Sequence, residues 1–260
     1  MSGLPASIED TAEEIGFGRV ERAFRPSYSL SVSSALFFLL LGVLFGVATT
    51  AVTTTVGIVV MGGLTGAAVL LAGWGAVDTR RLIRRRFYLC DGGLLAAENH
   101  TRLTHAIAWA DIAEVWRYHL RMYSENGATT MHRCRLRLTD GTRVNLEKPP
   151  LVDGADLGEQ VERRAASARL PQVLAELTSA GRVEFGPLTV TPDGIASAGR
   201  YASFSDIAVV RLRRVRLKIW TRDAAKPVSV LVRRVPNLWM LVLILQRHGA
   251  PTDIELYRPA

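Results

Sequence analysis

Hydrophobic and polar positions divide this chain sharply. After Arg25 there is no Asp, Glu, Lys, Arg or His until Asp78, so the 52 residues from Pro26 to Val77 carry no charge at neutral pH. Within that gap Leu30 to Ala48 and Val56 to Val77 are apolar all round a helix, and the uncharged TTAVTTT lies between them. A helix rises about 1.5 Å per residue and a bilayer's hydrocarbon core is about 30 Å thick, so one crossing takes roughly 20 residues. The pattern predicts a transmembrane hairpin over residues 28–79, with crossings at 30–48 and 56–77. A soluble helix would keep a polar face, and neither segment has one. Trp74 falls near one end, where interfacial aromatics are common.

Beyond Arg86 the period shortens to that of strands. Phe87 to Cys90 and Leu94 to Ala97 flank Asp91-Gly92-Gly93, a hairpin signal because Asp-Gly suits a tight turn. His132 to Leu138 alternates, with Cys134, Leu136 and Leu138 on one face and Arg133, Arg135 and Arg137 on the other. Asp140-Gly141 then turns into Thr142 to Leu146. Pro149-Pro150 ends the strands. A helix over residues 155–169 follows, and Pro171 predicts a break and a second helix to Ala180, capped by Gly181.

The strand pattern then restarts. Asp91-Gly92 followed by Trp109-Ala-Asp111-Ile112-Ala113-Glu-Val115 is echoed by Asp193-Gly194 followed by Phe204-Ser-Asp206-Ile207-Ala208-Val-Val210. The first copy has the longer tip, around His100 to Thr104. The shared order predicts an internal duplication. The apolar run Pro236 to Gln246 closes the second copy and is too short to cross a bilayer, so a buried core helix is expected.

The organisation read from these signals is an N-terminal segment (1–27), the hairpin (28–79), a first unit with its helix (80–180), a second unit with its closing helix (181–250) and a tail (251–260). A strand, Asp-Gly, strand, aromatic-x-Asp-Ile-x-x-Val opening with an apolar closing helix resembles the pleckstrin-homology-like (PH-like) domains of bacterial membrane proteins. The chain is similar to an uncharacterised bacterial family of two-pass proteins. Gly181 to Val190, Asp193-Gly194-Ile195 and Val235-Pro236-Asn237 carry most of the likeness. The resemblance implies a PH-like barrel fold, and the chain departs from a single such domain in having two meander–helix blocks. The fold expected is a membrane α-hairpin plus an α+β cytoplasmic part, made of two PH-like antiparallel β-meander or barrel units, each closed by a C-terminal helix. It implies no catalytic residue. One merged barrel and two tandem barrels both remain open.

Charge adds orientation. Arg19, Arg22 and Arg25 precede the first crossing, and Arg80, Arg81, Arg84, Arg85 and Arg86 follow the second. The positive-inside rule then puts both termini in the cytoplasm of a plasma (inner) membrane. Gly42-x-x-x-Gly46 and Gly62-x-x-x-Gly66 allow close helix packing, within the hairpin or between two copies as a homodimer. No ionisable group lies inside the crossings, which argues against a transport path.

Chemistry is scarce. Phosphate-loop, dinucleotide, zincin and C-x-x-C motifs are absent. Asp91, Asp140 and Asp193 each precede a glycine (Gly92, Gly141, Gly194) and read as turn residues. Cys90 and Cys134 read as reduced strand residues. No enzyme activity, cofactor or metal is expected. The net charge of +8 has one source: residues 181–250 hold 12 basic and 4 acidic side chains, an excess of the same size. Arg211, Arg213, Arg214, Arg216, Lys218, Arg222, Arg233 and Arg234 dominate it, as the candidate face for a partner or an anionic lipid. The function expected is a membrane-anchored interaction or scaffolding protein binding a protein partner on the cytoplasmic side. The alternative is recognition of anionic lipid headgroups by the basic second unit, and no nucleic acid is expected.

Overall fold

The computed structural model describes residues 6–27, 29–51, 53–98, 103–124, 127–147, 151–213, 215–224 and 226–253. Arg214, the tip residues 99–102, Pro149-Pro150 and the tail after Asp253 lie outside the described residues. The chain falls into two compact units, the first formed by Met1–Asp91, Leu95–Ala106 and Pro149–Val152, the second by the remainder.

The first unit begins with α1 (Ala6–Glu14) and β1 (Val20–Phe24). Neither is apparent from the sequence, because each offers only two fully apolar anchors: Ile8 and Ala12 on the helix, Val20 and Phe24 on the strand. Two long helices follow, α2 (Ser29–Ala51) and α3 (Thr55–Arg84). Both are long and apolar enough to cross a membrane over Val32–Ala51 and Thr55–Arg80, and most of their apolar side chains are exposed. They pack as a hairpin. The chain then enters β2 (Arg86–Cys90), β3 (Gly93–Ala97) and β4 (Leu103–Ala108), and the sheet order is β1-β2-β3-β4. The hairpin is thus inserted between two paired strands. Val20 lies opposite Cys90 and Phe24 opposite Phe87, so both ends of the hairpin are held in one ladder, on the same side. Ile8, Ala12, Val20, Tyr88, Cys90, Leu95 and Ala97 form the core beneath.

The second unit continues with β5 (Ile112–Ser124), β6 (Gly127–Leu138) and β7 (Arg143–Asn145), an antiparallel sheet in that order. Helix α4 (Gly154–Ala180) follows without interruption. This corrects the break expected at Pro171. The proline is exposed, so the carbonyl it leaves unbonded one turn earlier faces water. Val161, Ala165 and Ala166 before it and Val173 and Leu177 after it are buried on one face and hold the axis continuous. Gly181 ends the helix at φ 70°, as a left-handed cap requires.

Next come β8 (Val183–Phe185), β9 (Leu188–Thr191), β10 (Gly194–Ser197) and β11 (Arg200–Ser203), a sheet in the order β11-β10-β9-β8. Then β12 (Ile207–Arg213), β13 (Arg216–Thr221) and β14 (Val228–Leu231) pair with the tail strand β15 (Thr252–Asp253) in the order β14-β13-β12-β15. Helix α5 (Leu238–Arg247) precedes that tail and buries Leu238, Met240, Leu241, Val242, Ile244 and Leu245, the core helix its composition predicts. No sheet closes into a barrel among the described residues; each keeps two edges. The barrel part of the expectation is corrected accordingly. The β5–β7 strands and α4 group with residues 181–253 around shared helices.

The echoed motif has one geometry in both places. Trp109–Asp111 and Phe204–Asp206 are short 3-10 turns with the aromatic buried. The aromatic N–H donates to the carbonyl of Gly92 in the first and of Asp193 in the second. The carbonyls of Asp111 and Asp206 accept from Thr139 and Arg222, each just past the next hairpin. The register shifts between Ile112 and Glu114, and again between Ile207 and Val209, so the motif's central Ala is a bulge each time.

Candidate functional site

Two basic strand faces lie in the second unit. On β6, Arg137 bonds Glu114 of β5, and Arg133 and Arg135 both bond Glu147 just past β7, the Arg135 Nε to Glu147 Oε1 distance being 2.8 Å. The Glu147 side chain is 3% exposed, so the carboxylate is dedicated to these two guanidiniums. Its hydrogen bond and charge raise the Arg135 pKa. Three arginines on this face thus share two carboxylates, and each has one within reach.

The β12–β13 face is built the other way. Val210, Leu217 and Ile219 turn into the core, so their neighbours turn out. The register sets Arg211 opposite Lys218 and Arg213 opposite Arg216, cation against cation. Like charges directly opposite destabilise a strand pair. Among the described residues only Arg211 of these four has a carboxylate partner, Asp253 at 3.1 Å on β15, and that pair is largely exposed. Arg216 donates to Ser229 Oγ at 3.1 Å. Arg222 follows β13, and Arg233 and Arg234 stand exposed in the turn after β14. That turn is tied to the β12–β13 tip by a bond from Val232 N to Val215 O at 2.9 Å. The structure therefore gathers Arg211, Arg213, Arg216 and Lys218 on one face, puts Arg233 and Arg234 near its tip end, and sets Arg222 at the opposite end.

A cleft of about 400 Å³ opens at that opposite end, lined by Arg200, Tyr201, Thr221, Ala224, Lys226 and Val228. Arg200 and Lys226 were missed because each is an isolated cation in the sequence; their convergence follows from β11 meeting the β13–β14 loop. A second cleft of about 410 Å³ lies between β8, the start of β5 and the ends of α4 and α5. Arg169 closes its floor by donating to the Ile112 and Ala113 carbonyls at 3.2 and 2.7 Å.

The interior holds a polar clasp that pattern reading also missed. Arg117 of β5 and Glu162 of α4 pair at 2.6 Å with side chains 5% and 2% exposed. The other Glu162 oxygen accepts from Trp239 N at 3.1 Å, in the first turn of α5, where a carboxylate suits the helix dipole. Asn237 precedes that turn at φ 53°, and its side chain accepts from Val115 N and donates to Ala113 O. Burial would lower the Arg117 pKa, but the Glu162 carboxylate beside it offsets this and holds it above its ordinary value. Gly158 leaves the space for this pair, since a Cβ there would meet Arg117 Cδ at 3.2 Å. Cys134 is fully buried beside the clasp, and burial, reinforced by Glu162, pushes its thiol up to about 12. A thiol so placed is no nucleophile at neutral pH.

The turn residues lie at turns. Asp91 and Gly92 join β2 to β3. Asp140 accepts from Thr142 N at 2.8 Å, which lowers its pKa, and Gly141 takes φ 86°. Asp193 precedes Gly194, where a Cβ would collide with the Ala202 carbonyl. The hairpin glycines divide. A Cβ on Gly42 would touch Ala68 and Val69 at 3.5 Å, and one on Gly46 would touch Thr65 at 3.8 Å, so these two pack against α3. Gly62 and Gly66 meet nothing within 4 Å and are not part of that seam. The α3 side of the seam is instead Thr65, Ala68 and Gly75, the last against Ala35.

Residues 5–251 match a family of unknown function, DUF6585. The chain belongs to that family. No curated protein and no solved structure matches it.

Proposed function

We propose that this DUF6585 protein is a two-pass inner-membrane protein of bacterial type, with both termini cytoplasmic, that serves without catalysis as a docking platform for a protein partner bearing an acidic surface. The observation that carries the reading is the contrast between the two basic faces. The β6 arginines have their carboxylates within the chain, whereas Arg213, Arg216 and Lys218 are held against other cations and have no carboxylate partner among the described residues. Such a face is completed by an anionic partner from outside. The body that presents it reads as a duplicated PH-like fold. Four consecutive strands, a 3-10 turn, three strands and a helix occur twice, with the hairpin inserted after the first strand of the first copy. The repeated turn and bulge geometry supports that duplication.

The membrane part of the reading rests on the exposed apolar surface of α2 and α3 and on the arginines at both ends. A reporter active only outside the cytoplasm, fused after Ala260, is expected to stay silent; activity there overturns the topology. The docking part is tested by crosslinking the full chain in native membranes. R213Q, R216Q and K218Q together are expected to remove a specific crosslinked partner, while R133Q and R135Q leave it in place. Retention of the partner in the triple variant overturns the reading.

The cleft formed by Arg200, Lys226, Tyr201 and Thr221 favours a second reading, an anionic lipid headgroup. Cations near an anionic leaflet gain about 1 kcal/mol each. A polarity-sensitive dye on K226C, in nanodiscs of phosphatidylglycerol against phosphatidylcholine, reads it out. A blue shift confined to the anionic discs supports lipid contact, and identical spectra dismiss it.

A further inference from the structure

The edge of β12 is occupied by the chain itself. β13 pairs with β12 along its whole length, from Ile207 to Arg213, and among the described residues the other edge carries only β15. That strand pairs in parallel at two positions, Val210 with Thr252 and Arg211 with Asp253. Three contacts fasten it among the described residues. Val210 N donates to Pro251 O at 2.8 Å, Gln246 Nε2 donates to Thr252 Oγ1 at 2.9 Å on the surface, and Arg211 meets Asp253. The anchor behind it is firm: Ala250 is buried in the core and its N–H closes α5 onto Leu245 O. Past Arg211 the edge continues through Leu212 and Arg213, and the chain after Asp253 lies outside the described residues. A sheet edge is a template for an added strand.

From these facts we propose that the β12 edge is a peptide-docking site, that β15 is its displaceable occupant within the chain, and that the external ligand is an extended acidic segment of the protein partner. The proposal rests on the docking function above and assigns it an edge, a direction and a ligand chemistry. The direction is parallel, as the seated strand shows. The chemistry follows from register. Residues paired in a ladder share a face, so a ligand residue beside Arg211 or Arg213 lies with the cations, and one beside Val210 or Leu212 lies toward the apolar side. The fitting segment therefore alternates an apolar or hydroxyl-bearing residue with an acidic one. Thr252-Asp253 is one such step, and the sequence after it, Ile254-Glu255, has the same alternation. Backbone pairing supplies affinity in this mode and the alternate side chains supply selectivity. The tethered occupant competes at high effective concentration, so an external segment gains access in proportion to how weakly the tail is fastened.

The probe is a fluorescent peptide of residues 250–260 added to the full chain in nanodiscs. A chain ending at Pro251 is expected to bind it, with slowed amide exchange over residues 207–213. The intact chain is expected to bind at least tenfold more weakly, and a D253K peptide at least tenfold more weakly to the shortened chain. Because shortening could disturb folding, intact chain carrying T252G and D253K serves as a second receptor and is expected to gain binding. The proposal is overturned if both receptors unfold cooperatively like the intact chain yet bind no peptide, or if the intact chain binds as well as they do. Binding that survives R213Q, R216Q and K218Q, with the crosslinked partner lost, would uphold the edge while removing the face from it. Absence of peptide binding with the partner retained would remove the edge and leave the docking reading standing.

Discussion

Strands β6 and β12–β13 look alike as sequence and differ as structure. Arg133-Cys-Arg-Leu-Arg137 and Arg214-Val-Arg-Leu-Lys218 both alternate a cation with an apolar residue. On β6 each arginine meets a carboxylate from a neighbouring element, and Glu147 serves two of them. On β12–β13 the register sets arginine against arginine and arginine against lysine. Register alone does not make the difference, because β6 also sets Arg137 opposite Arg143 on β7. The difference lies in the carboxylates that packing brings to β6: Glu114 on β5 and Glu147 just past β7.

A third arrangement sharpens the contrast, because Arg117 lies inside. Replacing Glu162 with Gln leaves that guanidinium buried without its counter-charge and weakens the bond to Trp239 N. Breaking a buried pair costs about 3–5 kcal/mol, and urea unfolding of the full chain in detergent, followed by tryptophan fluorescence, is expected to show a loss of that size. A loss below 1 kcal/mol would mean that the clasp contributes little. At the β6 face Glu147→Gln removes two partly exposed charge-assisted pairs. The expected loss is about 1–2 kcal/mol after allowance for solvent screening. At the β12–β13 face the sign reverses. Arg213→Gln with Lys218→Gln relieves like-charge pairs, so stability should stay within about 0.5 kcal/mol or rise slightly. A loss comparable to that of Glu147→Gln would show that those cations have partners after all.

The smallest effect concerns a turn. The Thr142 N–H bond holds the Asp140 carboxyl below the ordinary Asp value of 3.8. A group depressed in the folded state stabilises it above the unfolded pKa, and that contribution is lost as pH falls through the folded value. Carboxyl carbon shifts should place the Asp140 midpoint below 3.8, and a midpoint at or above it contradicts the bond.

Much of the architecture was legible in the residues. The 52-residue gap marks the two long helices, the apolar run before His248 marks α5, and Gly181 marks the end of α4. Those signals are local, and local pattern carries them. Pro171 misled because its cost depends on whether the freed carbonyl faces water, which is a property of the surroundings. β1 was illegible because its partner, β2, lies beyond the hairpin, about 60 residues away in sequence, and only pairing makes Val20 to Phe24 a strand. The candidate site was half legible. Composition located Arg211 to Lys218, but the opposition of Arg213 to Arg216 is set by a tight turn's register. The convergence of Arg200 with Lys226 and the closure of Arg117 on Glu162 are set by tertiary packing, and no spacing announces either.

The claim that separates the two faces can be tested at two positions. A photo-crosslinking residue is placed at Lys218 in one full-length chain and at Arg135 in another, and each is irradiated in native membranes. The outward β13 position is expected to give a discrete protein adduct that is lost when Arg213 and Arg216 are changed to Gln. The β6 position is expected to give none. Equal adducts from both positions, or an adduct from Arg135 alone, would contradict the assignment of the β12–β13 face as the docking surface.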